Sequence, residues 1–151
     1  MNEDITRLAL KMAQDAFDAG ETPVGAVIFN TKTDEILCCA HNEVITGNDP
    51  TAHAEVLAVR QAGHLLNTYN LSGYSIFSTV EPCAMCATAI SWGQLDKVYF
   101  GAYDPKSGAV EHGPQIYECA TCHHKPEVYG GICEKECARL MKDFYKGLRK
   151  K

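Results

Sequence analysis

The chain has 151 residues, of which 46% are apolar and 22% charged, and its net charge is −5. This is an ordinary globular composition with length for one core, and it excludes wholesale disorder. No apolar run approaches the roughly 20 residues that cross a bilayer, and the opening stretch with Glu3, Asp4, Arg7 and Lys11 is unlike a secretory leader. The expectation is one cytoplasmic domain over residues 1–151 with no membrane contact. The charge is unevenly spread. Residues 1–138 carry eight Lys/Arg against eighteen Asp/Glu, whereas residues 139–151 carry six against Asp143 alone. A basic end on an acidic body can grip a polyanion, or simply suit the C-terminal end of a helix dipole. Eight cysteines are many for a reducing compartment. There, metal binding or packing is considered before disulfides.

Ile5, Leu8, Ala9, Met12, Ala16 and Phe17 recur at helical spacing, and Gly20 is a natural stop. Residues 24–29 and 36–40 are β-rich and flank a polar turn, which predicts a hairpin. Residues 42–50 form a loop rich in Asn, Gly, Asp and Pro. A second helix is predicted from near Thr51, with Asp49 as N-cap and Pro50 in the first position, and largely buried. A strand follows at 75–80. Glu81-Pro82 turns it into a helix from Cys83 to about Trp92, and another strand comes at 97–101. Residues 104–108 are a loop, and 109–126 give no clear pattern. Residues 127–129 suit a short last strand, and the final helix carries Cys137, Leu140, Met141, Phe144 and Leu148 on one stripe. Alternating strands and helices with an opening hairpin predict an α/β domain with a mixed sheet and helices on both faces.

Two short patterns carry chemistry. His53-Ala54-Glu55 opens one helix and Pro82-Cys83-Ala84-Met85-Cys86 opens another. One imidazole and two thiolates suit tetrahedral zinc with one position left for water. Cys83 and Cys86 are three apart and so share a helix face, where the N-terminal dipole favours thiolate. Glu55 lies two beyond the histidine, which suits a proton shuttle beside the metal rather than a ligand on it. A structural zinc site closes with four protein ligands and has no use for that carboxylate.

The H-x-E … P-C-x-x-C pairing is the signature of zinc nucleobase deaminases. The chain resembles that superfamily over most of its length and, within it, the bacterial tRNA-specific adenosine deaminases. The resembling segments are Glu21-Thr22-Pro23-Val24-Gly25-Ala26-Val27, Asn48-Asp49-Pro50-Thr51-Ala52-His53-Ala54-Glu55 and Val80-Glu81-Pro82-Cys83-Ala84-Met85-Cys86. The loop Asp104-Pro105-Lys106-Ser107-Gly108 and the basic final helix are more discriminating, and 121–129 extend the likeness.

The resemblance implies a three-layer α/β/α cytidine deaminase-like fold with about five strands, and one Zn²⁺ per subunit on His53, Cys83 and Cys86. It implies hydrolytic conversion of the wobble adenosine of tRNA to inosine. In that reaction Glu55 carries the water proton to the ring nitrogen beside the attacked carbon, then a proton to the amino group, which leaves as ammonia. It also implies Asn42 and the backbone of Ala54 against the purine, Asp104 and Lys106 near ribose and phosphate, and Phe144 against a nucleotide. For Phe144, packing on the apolar stripe is an equal rival; for Asn42, Asp104 and Lys106 it is turn chemistry. An anticodon stem-loop and a second copy of the chain are the implied partners, with RNA rather than DNA recognised through its 2′-hydroxyls.

Cys119-Ala120-Thr121-Cys122-His123-His124 is a second C-x-x-C, but it lacks a further pair at zinc-ribbon spacing. Two alternatives share the zinc core. One is a deaminase of a free base or mononucleotide of guanine, cytosine or CMP type, which has no need of a basic final helix. The other is a zinc-stabilised interaction module, which has no need of Glu55.

Overall fold

The computed structural model describes residues 1–149; Lys150 and Lys151 of the basic end lie outside them. In chain order the elements are α1 (Glu3–Asp18), β1 (Gly25–Asn30), β2 (Ile36–His41), α2 (Ala54–Leu66), β3 (Tyr74–Val80), α3 (Ala84–Trp92), β4 (Lys97–Ala102), a 3₁₀ turn (Ile116–Glu118), β5 (Glu127–Tyr129) and α4 (Glu134–Arg149). The five strands form one sheet in the order β2-β1-β3-β4-β5. β1 is antiparallel to both β2 and β3, while β3, β4 and β5 run parallel, so the sheet is mixed as the hairpin implied.

Alternation along the strands gives each face its own core. On one face Ile28, Ile76 and Val98 meet Ala58 and Ala62 of α2 and Ala87 and Ile90 of α3. On the other, Val27, Phe29 and Phe77 meet Ile5 and Ala9 of α1 and Cys137 of α4. α1 begins cleanly because Asn2 Oδ1 accepts the Ile5 N–H at 3.2 Å, and Glu3 and Asp4 suit its dipole. Its buried stripe Ile5, Ala9, Ala13, Ala16 is small enough to lie almost on the sheet backbone. Gly25 is required there, since a Cβ would collide with the Ala9 carbonyl oxygen.

The start of α2 differs from the sequence expectation. Asp49 does not cap it; its Oδ1 accepts the Thr51 N–H (2.9 Å) and hydroxyl (2.7 Å) in a local turn. The helix begins at Ala54 with His53 in the N-cap position, yet the His53 side chain makes no capping bond. The cap comes from a distant loop, where Asn42 Oδ1 accepts the Ala54 N–H at 2.7 Å. Burial of α2 is also narrower than its apolar content suggested. The buried residues are Ala54, Glu55, Ala58 and Ala62, while Arg60, Gln61 and Leu65 face solvent. α3 repeats the arrangement, with Cys83 in the N-cap position and no side-chain cap.

Candidate active site

Two helix N-termini and two strand ends converge on one cavity. The parallel strands β3 and β4 end side by side, with Val80 paired to Ala102. The carboxyl ends of parallel strands are where α/β sheets hold ligands. His53 and Cys83 occupy N-cap positions whose capping role the side chains do not take up, so both are free to face each other. His53 Nδ1 lies 3.6 Å from Cys83 Sγ and 3.4 Å from Cys86 Sγ. The three donor atoms lie within 4.8 Å of one another.

Electrostatics separate the three groups. The hydrogen bond from Cys86 holds the Cys83 thiol down at about 4, and that same bond, with burial, pushes Cys86 up. The bond to Cys83 raises His53. The cluster therefore already keeps one thiolate, ready for a soft or borderline cation. One nitrogen and two sulfurs at this spacing, on rigid helix ends, fit zinc and leave one of its four positions for a non-protein ligand.

Glu55 is 3% exposed and lines the same cavity as His53 and Cys83. Burial pushes its carboxyl up to about 7, against the opposing pull of its own backbone N–H and the Ser78 hydroxyl. A carboxyl that titrates near neutrality can both take up and release a proton. The cavity measures about 370 Å³, and Asn42, Asp104, Met141 and Tyr145 also line it.

Asn42 is 7% exposed. Its Oδ1 is committed to Ala54, and its Nδ2 has no partner among the described residues. Ala54 thus spends its N–H on orienting that amide. Asp104 Oδ1 accepts the N–H groups of Lys106 (3.1 Å) and Ser107 (3.0 Å), so its turn role is real, while the residue also lines the cavity. Lys106 is exposed and lines a second, adjoining cavity of about 730 Å³, together with Tyr103, Pro105 and Leu148. Met141, Tyr145, Asp104 and Ser107 line both.

Phe144 lines neither cavity. It packs edge-on against Phe17 of α1, ring centroids 5.8 Å apart, so the geometry is that of the core-packing rival. Its neighbour Tyr145, 100° round the helix, faces the cavities instead. Among the described residues, His53, Cys83 and Cys86 are the one gathered metal-ligating group. Cys119 Sγ turns to the carbonyls of Pro114 and Gln115, and Cys122 Sγ to that of His124.

Sequence reading gave no role to Glu21 and Glu81, both buried and both on the cavity wall. Glu21 accepts the N–H groups of Ile45 (3.1 Å) and Thr46 (2.7 Å), and so ties down the 42–50 loop. Burial works to raise its pKa, but those N–H groups outweigh it and hold the carboxyl below its ordinary value. Each glutamate stands in a segment quoted for family likeness, yet no local pattern distinguishes a backbone-clamping carboxylate from a surface one.

Together the layered fold and the His/Cys/Cys cluster beside a buried glutamate define a zinc-dependent nucleobase deaminase. Residues 1–102 match the family model of the cytidine and deoxycytidylate deaminase zinc-binding region. The chain is 42% identical to the tRNA-specific adenosine deaminase of Rickettsia typhi over 141 residues, 93% of this chain and 95% of that protein. A solved structure from a study of A-to-I editing by tRNA:A34 deaminases at the wobble position is 40% identical, with a TM-score of 0.89 over 92% of this chain and 99% of that one. The guanine deaminase of Nitrosomonas europaea, 19% identical with a TM-score of 0.82 over 95% of this chain and 84% of that one, shares the fold. The chain belongs to the tRNA-specific adenosine deaminases.

Proposed function

We infer that this protein hydrolyses the amino group of the wobble adenosine of a tRNA anticodon, giving inosine and ammonia. The observation that carries the reading is likeness along nearly the whole of both chains to a wobble-position deaminase, with Glu55 and the His53/Cys83/Cys86 cluster in one cavity. Zinc held by those three residues would supply the Lewis acidity that lets a water beside Glu55 give up a proton near neutral pH. Glu55 takes that proton and delivers it to the purine nitrogen next to the carbon under attack. It then protonates the departing amine. A folded-state value near neutrality suits both transfers.

The remaining assignments follow from what the cavity walls offer. Asn42 Nδ2, oriented through Ala54, donates to an acceptor on the purine edge. Asp104 accepts from a ribose 2′-hydroxyl and Lys106 meets a phosphate. Tyr145 takes the stacking role expected of Phe144. The enzyme works in the cytoplasm as one domain and as a homodimer. Exposed Leu65, Tyr69 and Trp92 supply apolar surface for a second copy, and sedimentation of the purified chain checks the dimer. No helix among the described residues is long and apolar enough to cross a membrane.

The test is incubation with an anticodon stem-loop bearing adenosine at the wobble position, beside free adenine, guanine, cytosine and CMP. Inosine should form in the stem-loop alone. Turnover of a free base or CMP with an untouched stem-loop would replace this reading with the small-molecule one.

A further inference from the structure

The Asp104 loop hangs from one buried side chain. Glu81 is 3% exposed. Its Oε1 accepts the Asp104 N–H at 3.1 Å and the His112 ring N–H at 2.8 Å. Its Oε2 accepts the N–H groups of Val110 (3.2 Å), Glu111 (2.9 Å) and His112 (3.1 Å). Five donors on two oxygens use up the acceptor sites of a carboxylate, which leaves it no capacity to carry protons. Both ends of the 104–112 segment are thus clasped by the same group. The segment also wraps tightly. Cys83 bridges to Gly108, and a Cβ on Gly108 would come within 2.5 Å of the Glu81 carboxyl carbon.

The clasp joins two parts of the site. Glu81 is anchored on the sheet through its N–H to the Ala102 carbonyl (2.8 Å), and the Ala109 N–H bonds to the Pro82 carbonyl (2.9 Å). The loop carries Asp104 and Ser107 on the cavity wall and Lys106 on the outer cavity. The zinc cluster and Glu55 sit on the ends of α2 and α3 instead. Loosening the clasp therefore acts first on the wall; its link to the zinc cluster is the backbone pairing of Pro82 and Cys83 with Ala109 and Gly108, on which zinc content reports.

We propose that Glu81 is a positioning residue for RNA engagement, holding the Asp104–Lys106 wall in register with the zinc cluster by clasping both ends of the 104–112 segment. The proposal rests on the tRNA reading above. Glutamine at 81 keeps one acceptor oxygen and turns an NH₂ donor toward N–H groups, so the clasp opens while the volume is kept.

The experiment compares wild type, Glu81→Gln and Gly108→Ala, each with zinc content, steady-state kinetics on the adenosine stem-loop, and amide hydrogen exchange. Glu81→Gln should raise KM for the stem-loop about ten-fold or more, with kcat within about three-fold and zinc still near one per chain. Exchange should quicken at the amides of Asp104, Val110, Glu111 and His112 and stay slow in α2 and α3. Gly108→Ala presses on the Asp104 carbonyl as well as on that carboxylate, so it displaces the loop directly and should give the same split; if Glu81→Gln fails to fold, Glu81→Asp, which draws the carboxylate back by one methylene, carries the test. An unchanged KM, a loss confined to kcat as general destabilisation would give, or unchanged exchange at those amides overturns the proposal. A wild-type enzyme inert on the stem-loop would remove the tRNA reading alone, and the exchange pattern would then decide whether Glu81 clasps the loop.

Discussion

The floor of the active cavity and its walls are built on different principles. The floor is His53, Cys83, Cys86 and Glu55, all at the first turns of two helices, where short sequence spacing orients the side chains within each pair and the fold brings the two pairs together. The walls are two irregular loops, 42–50 and 104–112, each held by a buried glutamate from a distant part of the chain. Each half of the floor is local and repeats helix stereochemistry, so only the docking of two helix ends is left to the fold; wall geometry is irregular throughout and has no local template. The bond-breaking groups therefore stand on the stiffest elements, and substrate selection is left to segments whose order depends on a few charge-assisted bonds.

Three substitutions break that division, from the largest effect to the smallest. Glu55→Gln strikes the floor and should cut turnover of the stem-loop by roughly a thousandfold, with zinc content and fold unchanged. Turnover near the wild-type rate would remove the proton-shuttle role.

Glu21→Gln strikes a wall and should cost about 2 kcal/mol of stability at neutral pH, as expected for lost hydrogen bonds to a charged group. Its pH dependence has a defined sign. The Glu21 carboxyl is held below its ordinary 4.5 in the folded chain. Its contribution is therefore full above that value and is lost as pH falls through the lower folded-state one. Denaturant melts of both proteins should differ most above pH 4.5 and converge in acid; a gap that widens in acid contradicts the assignment.

Phe144→Leu tests the smallest difference, between neighbours on α4. It should cost about 1 kcal/mol through the lost contact with Phe17 and leave KM for the stem-loop unchanged. A raised KM with wild-type stability would return Phe144 to the nucleotide.

Much of this was legible in advance, for reasons visible in particular residues. The β-rich runs at 24–29 and 75–80 read as strands, and the hairpin pointed to the mixed sheet. The zinc cluster was legible because His-x-Glu and Cys-x-x-Cys encode their own geometry. The start of α2 was misplaced because Asp49-Pro50 is a good local helix opening, and nothing nearby reveals that Asn42, twelve residues upstream, supplies the cap. For Phe144, packing and nucleotide contact could not be ranked, and Tyr145 was missed, because which of two adjacent aromatics faces the cavity depends on how α4 lies against α1.

By itself the sequence determined the ligand set, the shuttle carboxylate and the layered α/β class, since each rests on spacing within one helix turn or one strand. Only the tertiary structure decided how the cavity is walled and which loop residues face it. Glu81 and the N–H groups it gathers lie 23 to 31 residues apart; the zinc ligands span as much, but their residue types announce the meeting, whereas backbone N–H groups carry no such mark in the sequence.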